Sequence, residues 1–323
     1  MADYKTLHGT NIEVVSSDPS NPVVGQVWYN TSTQLIKGYT ESTAGSWASG
    51  GALNAARGEH GTTGTQTASL VVAGSPGTLV AVELYDGSSW TEIADINTGR
   101  YDIEAAGTST AAIAYGGRTA APADTNATES WDNSSWTEVG NLNTARNSFI
   151  GDGSSTSAMA VGGETGGSPT ENAETWNGTA WTEVGNLNRS TGRKNAAGAG
   201  ASSTAFLFFG GYVPGNVDLT EKWNGTSWTE VGDLNTAKRG SAGLGTSTAA
   251  LSAGGTEPPG ATANTEQWNG TAWTEVNNLS LARASFGGCG TTTAGLVTGG
   301  GSPGTGTEEW AAPSTATVTF DSS

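Results

Sequence analysis

Eleven glutamates recur at fixed places along this 323-residue chain. Six stand two positions before an aromatic residue: Glu83, Glu129, Glu174, Glu221, Glu266 and Glu308. Five more follow a second tryptophan by two positions: Glu92, Glu138, Glu183, Glu230 and Glu275. Paired carboxylates can hydrolyse glycosides, one as acid and the other as base or nucleophile. A catalytic pair occurs once in a site, however, whereas these pairs repeat along the chain. Their repetition favours a structural role. The six carboxylates of the first set are expected to pair with Arg57, Arg100, Arg146, Arg193, Lys238 and Arg283, which recur with the same period.

Other chemistry is sparse. His8 and His60 are the only histidines and Cys289 the only cysteine, so histidine-rich metal sites and an intrachain disulfide framework are excluded. Cys289 sits in Gly-Gly-Cys-Gly and reads as a small buried filler. No metal and no cofactor is expected, and no catalytic residue is assigned. Lys and Arg total 13 against 30 Asp and Glu, a formal charge of −17. That charge opposes binding to phosphate backbones, so no nucleic-acid partner is expected. The start, MADYKTLHGTNIEVV, lacks the basic-then-apolar pattern of a signal peptide, and no stretch reads as a membrane span.

The elements that position these residues follow from the repeat. The phrase Glu174-Thr-Trp-Asn-Gly-Thr-Ala-Trp-Thr-Glu-Val184 has relatives beginning at Glu83, Glu129, Glu221 and Glu266. A basic residue follows each second tryptophan at a constant distance (Trp47 to Arg57, Trp136 to Arg146), except that Trp181 to Arg193 holds two extra residues. Seven positions further on comes glycine: Gly64, Gly107, Gly153, Gly200, Gly245 and Gly290. Then an apolar run ends in glycine, doubled in five of the six units (AFLFFGG, AAIAYGG). Each unit of about 45 residues thus offers four short strands, the period of a β-propeller blade. The Asn-Gly pairs between the last two strands signal a hairpin of two or four loop residues. Either length puts Trp176 and Trp181 on one face.

The expected fold is all-β: a six-bladed propeller over residues 46–310, a small N-terminal β-hairpin module over 1–45, and a tail over 311–323 with one short strand. The sixth unit breaks after Trp310, and its missing last strand matches the segment around Trp47. That strand is expected to complete the final blade and close the ring. Thr315-Ala-Thr-Val-Thr-Phe320 is expected to leave the ring and pair near the N-terminal hairpin, whose runs Gly25–Tyr29 and Gln34–Tyr39 flank Asn30-Thr-Ser-Thr33.

The glycine doublet, the aromatic of the third strand, the tryptophan of the fourth and the basic residue beyond it resemble the kelch repeat across residues 47–310. The pairs here are mostly Trp–Trp, where the kelch pattern more often starts with Tyr, as at Tyr85. Kelch propellers serve as interaction platforms, structural modules and, more rarely, oxidases. Copper oxidase chemistry has no ligand set here. Tyr85-Asp-Gly-Ser-Ser-Trp90 resembles a sialidase Asp-box, but its Asp gives way to Asn in most units, which a turn explains. Residues 25–39, leading to Gly45-Ser-Trp47, look like N-terminal modules of bacteriophage virion proteins. With the NGTxWTEV and LNTAR repeats they are similar to tail-fibre or surface proteins of marine phages, cyanophages among them. That resemblance implies a non-enzymatic virion component, assembled in host cytoplasm, whose N-terminal module meets other virion proteins. The alternative is a kelch-type glycan- or protein-binding module of a bacterium without a virion.

Ligands, whether host glycan or protein, are expected on the face carrying the long, unlike loops between second and third strands. Arg118, Glu164, Tyr212, Asp218 and Glu257 are the candidate contacts. Arg189, Arg193, Lys194, Lys238 and Arg239 form a local basic edge. Homo-oligomerisation is left open.

Overall fold

The computed structural model describes residues 12–41, 45–121, 123–189, 192–301 and 304–320. His8, residues 190 and 191, residue 122 of the Arg118–Ala127 loop and residues 302 and 303 of the Gly301–Thr305 loop lie outside them. The described residues form strands and turns without a helix. The chain divides into two compact units, one of residues 1–45 with 312–323 and the other of 46–311.

In the larger unit, six antiparallel four-stranded sheets follow one plan. The first comprises Gly61–Thr65, Ala68–Val72, Val82–Tyr85 and Trp90–Ile93. The second comprises Glu104–Thr108, Ala111–Tyr115, Thr128–Trp131 and Trp136–Glu138. The third to fifth run over 150–184, 197–230 and 242–276 in the same order. The last joins Gly287–Gly290, Ala294–Thr298 and Thr307–Ala311 to Ser46–Ser49, with Trp310 opposite Trp47. Each sheet remains four strands wide; none closes on itself. Their arrangement is consistent with a propeller.

Side-chain size sorts the strands. First strands such as Ala197-Gly-Ala-Gly-Ala-Ser202 carry little bulk, so neighbours approach closely: a Cβ added at Gly243 would lie 2.0 Å from the Gly198 carbonyl oxygen. These strands neighbour one another in chain order, and Gly287–Gly290 also neighbours Gly61–Thr65. Second strands are apolar and buried almost throughout, as in Ala205–Phe209. Six hydrophobic clusters fill the spaces between adjacent sheets, and the sixth joins Val71, Tyr85 and Trp90 to Cys289 and Leu296.

The paired tryptophans supply much of that filling. Trp131 faces Trp136, Trp176 faces Trp181, Trp223 faces Trp228 and Trp268 faces Trp273, with ring centroids 5.4–5.5 Å apart. Burying each large ring is worth about 1.5–3 kcal/mol. Their indole N–H groups are also satisfied. Trp176 donates to the Ser155 carbonyl of its own sheet, and Trp181 donates to Thr128 Oγ1 of the sheet before. The connecting loop has four residues. Asn177 Oδ1 accepts the backbone N–H groups of Thr179 and Ala180, and Gly178 takes φ 93°. The asparagine therefore caps the turn by side-chain acceptance, while the following residue supplies the left-handed conformation.

The smaller unit is a sheet in which Glu13–Val15 lies parallel to Val27–Asn30, followed by Leu35–Glu41 and Thr315–Phe320. Its centre is Trp28, fully buried, whose indole N–H donates to Asp18 Oδ1 at 3.0 Å. Asn30 and Lys37 donate to the same carboxylate, and with Lys37 as the leading cause its pKa falls to about 2. Thr315–Phe320 belongs to this sheet, and Ala311 belongs to the last strand of the larger unit.

Candidate binding face

Each third-strand glutamate meets a basic residue from the turn entering its sheet. The pairs are Arg57–Glu83, Arg100–Glu129, Arg146–Glu174, Arg193–Glu221, Lys238–Glu266 and Arg283–Glu308, at N–O distances of 2.5–3.4 Å. All these side chains are buried. Arg146 shows how a guanidinium suits the place: Nη1 donates to the Gly162 and Asn172 carbonyls and Nη2 to Glu174 Oε1. Burial lowers the pKa of each basic member, and the facing glutamate opposes that shift. The first glycine of the doublet makes room for the turn of the next basic residue. Gly162 has φ 65°, and a Cβ there would lie 2.7 Å from the Arg193 carbonyl oxygen. Ala73, the exception in sequence, adopts the same conformation at φ 61°.

A third partner completes each site; at Glu308 it is the backbone N–H of Ser280, and elsewhere it is an asparagine. This asparagine, which follows Leu or Ile, donates through its backbone N–H and its Nδ2 to the other carboxylate oxygen, as Asn143 does to Glu174 at 2.7 and 2.9 Å. Asn54, Asn97 and Asn235 do likewise. Its signal was the three-residue gap to the basic residue, kept at Asn54, Asn97, Asn143 and Asn235 and stretched to five only between Asn188 and Arg193. These carboxylates are fully engaged, which suits them to holding strands in register.

Two positions beyond each basic residue the chain turns left-handed, at Glu59, Asp102, Ser148, Asn195, Gly240 and Ser285, with φ between 50° and 60°. Backbone bonds link several of them in succession. Asn195 donates to Ser148, Gly240 to Asn195, Ser285 to Gly240 and Glu59 to Ser285, at 2.7–3.0 Å. Side chains from these turns line a cavity of about 80 Å³, and deeper residues, including Asp152, line one of about 40 Å³. Glu104 and His60 line both. Burial, with Glu59 next in importance, pushes Asp102 up to about 6. Burial raises Asp152 to about 7 despite donors at Gly153 and Gly200, and lifts Glu104 well above the usual range. His60 falls to about 3, from burial first and Arg57 second, so it is neutral near pH 7. Cys289 is buried and raised to about 12 by that burial, hence a poor nucleophile.

The loops between second and third strands start beside these turns, through bridges that pair Gly58 with Ser75, Tyr101 with Arg118, Asn147 with Glu164, Lys194 with Tyr212 and Arg239 with Thr256. The five candidate contacts do not converge on one point. Arg118 Nε donates to Asp124 at 3.1 Å and its Nη2 to Glu164 at 3.4 Å, while Lys194 reaches the other oxygen of Glu164. Tyr212 lies under the Arg239 guanidinium, 4.7 Å from ring centroid to Cζ. Glu257 accepts from Asn264. The Asp218 carbonyl accepts from Leu234. Of the basic edge, Arg193 and Lys238 are buried in their glutamate pairs, whereas Lys194 and Arg239 belong to the face.

No protein-family model matches the sequence, and no curated protein is similar to it. Among solved structures, one titled "Structure of YjhT", a kelch-like β-propeller, superposes with a TM-score of 0.67. The superposition covers 81% of this chain and 96% of that one at 13% identity. The fold is a β-propeller. At that identity the likeness carries the fold alone. Among the described residues, no cluster of three or more His, Cys, Asp or Glu side chains has a metal-binding arrangement.

Proposed function

We propose that the chain is a six-bladed propeller, closed by strand Ser46–Ser49, that works without catalysis as an attachment or binding component. The blade count and closure are supported by the succession of first strands, the apolar cluster shared by first and last sheets, and the bond from Glu59 to Ser285. The observation that carries the functional reading is the contrast on one face. Near-identical strands and turns hold loops that differ in length and form, with short hairpins at 164–169 and 212–216 and a long one within 249–268. Constant scaffolds with unlike loops are the usual means of presenting a recognition surface.

The setting follows from the N-terminal segment. Its resemblance to phage virion modules supports placement in a tail or head fibre or a surface decoration, with the small sheet meeting other virion proteins. The alternative, a kelch-type binding module of a bacterium, is supported by the propeller fold itself. Mass spectrometry of purified particles from the source lysate separates them: peptides of this chain are expected in the virion, and their absence ends the first setting. For the face, replacing loop Arg118–Ala127 by Gly-Ser linker is expected to abolish binding to host envelope material under conditions where circular dichroism shows the variant still folded. Undiminished binding would overturn this use of the face.

A further inference from the structure

Glu59 occupies an unusual position on this face. It lines three cavities at once: the one of about 80 Å³ among the recurring turns, one of about 340 Å³ beside Ala56 and Ser285, and one of about 440 Å³ toward Tyr101. Its backbone is held left-handed at φ 53°, a conformation uncommon for glutamate. Among the described residues, no donor reaches its carboxylate. The equivalent Asp102 accepts from Ser148 Oγ at 3.3 Å.

The cavity of about 440 Å³ lies between loops of the first two sheets and is lined by Glu59, Ser75, Thr78, Tyr101 and Thr119 among others. Its size falls within the roughly 300–1,000 Å³ range of small-ligand sites. The lining combines a half-buried aromatic ring, a carboxylate with free lone pairs and three hydroxyl side chains. We infer that this cavity binds a neutral pyranose, its C–H face against the Tyr101 ring and adjacent hydroxyls donating to Glu59. A ring of C–H groups suits the apolar body of tyrosine, and an acceptor-only carboxylate suits vicinal hydroxyls. An acidic sugar is disfavoured by Glu59, nearby Asp102 and the chain's charge of −17. A primary ammonium meets the opposing field of Arg118, whose backbone pairs with that of Tyr101.

This inference rests on the face being a binding surface and specifies one ligand class for it. The test titrates the full chain with glucose, galactose, mannose and N-acetylglucosamine, followed by ligand-observed NMR. Glucuronate and putrescine serve as comparators. At least one neutral sugar is expected to saturate with a millimolar Kd, as suits so small a ligand. Glu59→Gln and Tyr101→Ala should each weaken it about tenfold or more, and Tyr101→Phe about twofold at most, since the ring remains. Urea midpoints of the variants distinguish lost binding from lost folding. Saturation by no neutral sugar below about 50 mM, tighter binding of glucuronate or putrescine, or affinity unmoved by both Glu59→Gln and Tyr101→Ala overturns the inference. Envelope binding that survives Glu59→Gln but is lost with the Arg118–Ala127 loop would sink the pyranose site alone and leave the face intact.

Discussion

At the scale of single residues, the six buried ion pairs hold the register of the sheets. A buried pair adds little over a well-packed apolar pair, but removing one partner strands a charge and costs about 3–5 kcal/mol. Glu174→Gln leaves Arg146 facing an amide and should lower unfolding free energy by an amount approaching that range, measured by urea denaturation. Lys238 is the informative exception. Its ammonium is 3.4 Å from Glu266 and makes only long contacts, to the Ser252 and Asn264 carbonyls, where arginines bond closely to two carbonyls and a carboxylate. Lys238→Arg restores the planar donor set and should add about 1 kcal/mol in the same assay. Asp152 gives the opposite sign of effect. Its carboxyl has an ordinary pKa of 3.8 and rises to about 7 in the fold, so folding takes up a proton between those values. Stability from this group is therefore present on the acid side and lost as pH rises from about 4 to about 7, by ~4 kcal/mol at most. Asp152→Asn should flatten that loss, raising the urea midpoint at pH 8 more than at pH 5. An equal shift at both would show that its titration is irrelevant.

At the scale of elements, most of the four-strand unit was legible because its signals repeat. The Trp–Trp register, the small-residue first strands and the ion pairs each appear in several copies. The two-or-four ambiguity of the Asn-Gly loop was not resolvable, because asparagine can cap a turn or occupy its left-handed position. Here it caps. The binding face was less legible. Loop residues were picked for their chemistry, yet Arg118, Glu164 and Lys194 neutralise one another across adjacent sheets. Glu59, whose carboxylate meets no donor among the described residues, lies inside a recurring turn rather than a variable loop. Its equivalents change from Glu to Asp, Ser, Asn and Gly, since what recurs is a backbone conformation and not a side chain. Strand Ser46–Ser49 also makes a prediction. Trp47→Ala removes its contact with Trp310, 5.3 Å between centroids, and, since Trp47 is only partly buried, should cost less than the roughly 3–5 kcal/mol of a fully buried tryptophan. Deleting 46–49 should in addition leave Thr307–Ala311 as an open edge and produce oligomers on size exclusion.

At the scale of the whole molecule, the two units have different means of support. The larger one has six apolar clusters and repeated ion pairs, so residues 46–311 expressed alone should unfold cooperatively with circular dichroism and fluorescence transitions coinciding. The smaller relies on one buried tryptophan and a single carboxylate that gathers three donors. Asp18→Asn should therefore loosen it without moving the main transition, seen as faster amide exchange confined to the smaller sheet.

The ladder between Leu35–Glu41 and Thr315–Phe320 has a consequence for kinetics. Covalently, each of these strands continues within a few residues into Ser46–Ser49 or out of Thr307–Ala311, the pair that joins the two ends of the larger unit. When the second ladder opens, the first still tethers its strands. Re-pairing is then an intramolecular event at an effective concentration in the ~mM range, set by two short connections rather than by the whole chain between them. Opening of the seam should accordingly be brief and self-correcting, and exchange of strand Ser46–Ser49 between molecules should stay rare until the small sheet itself is lost.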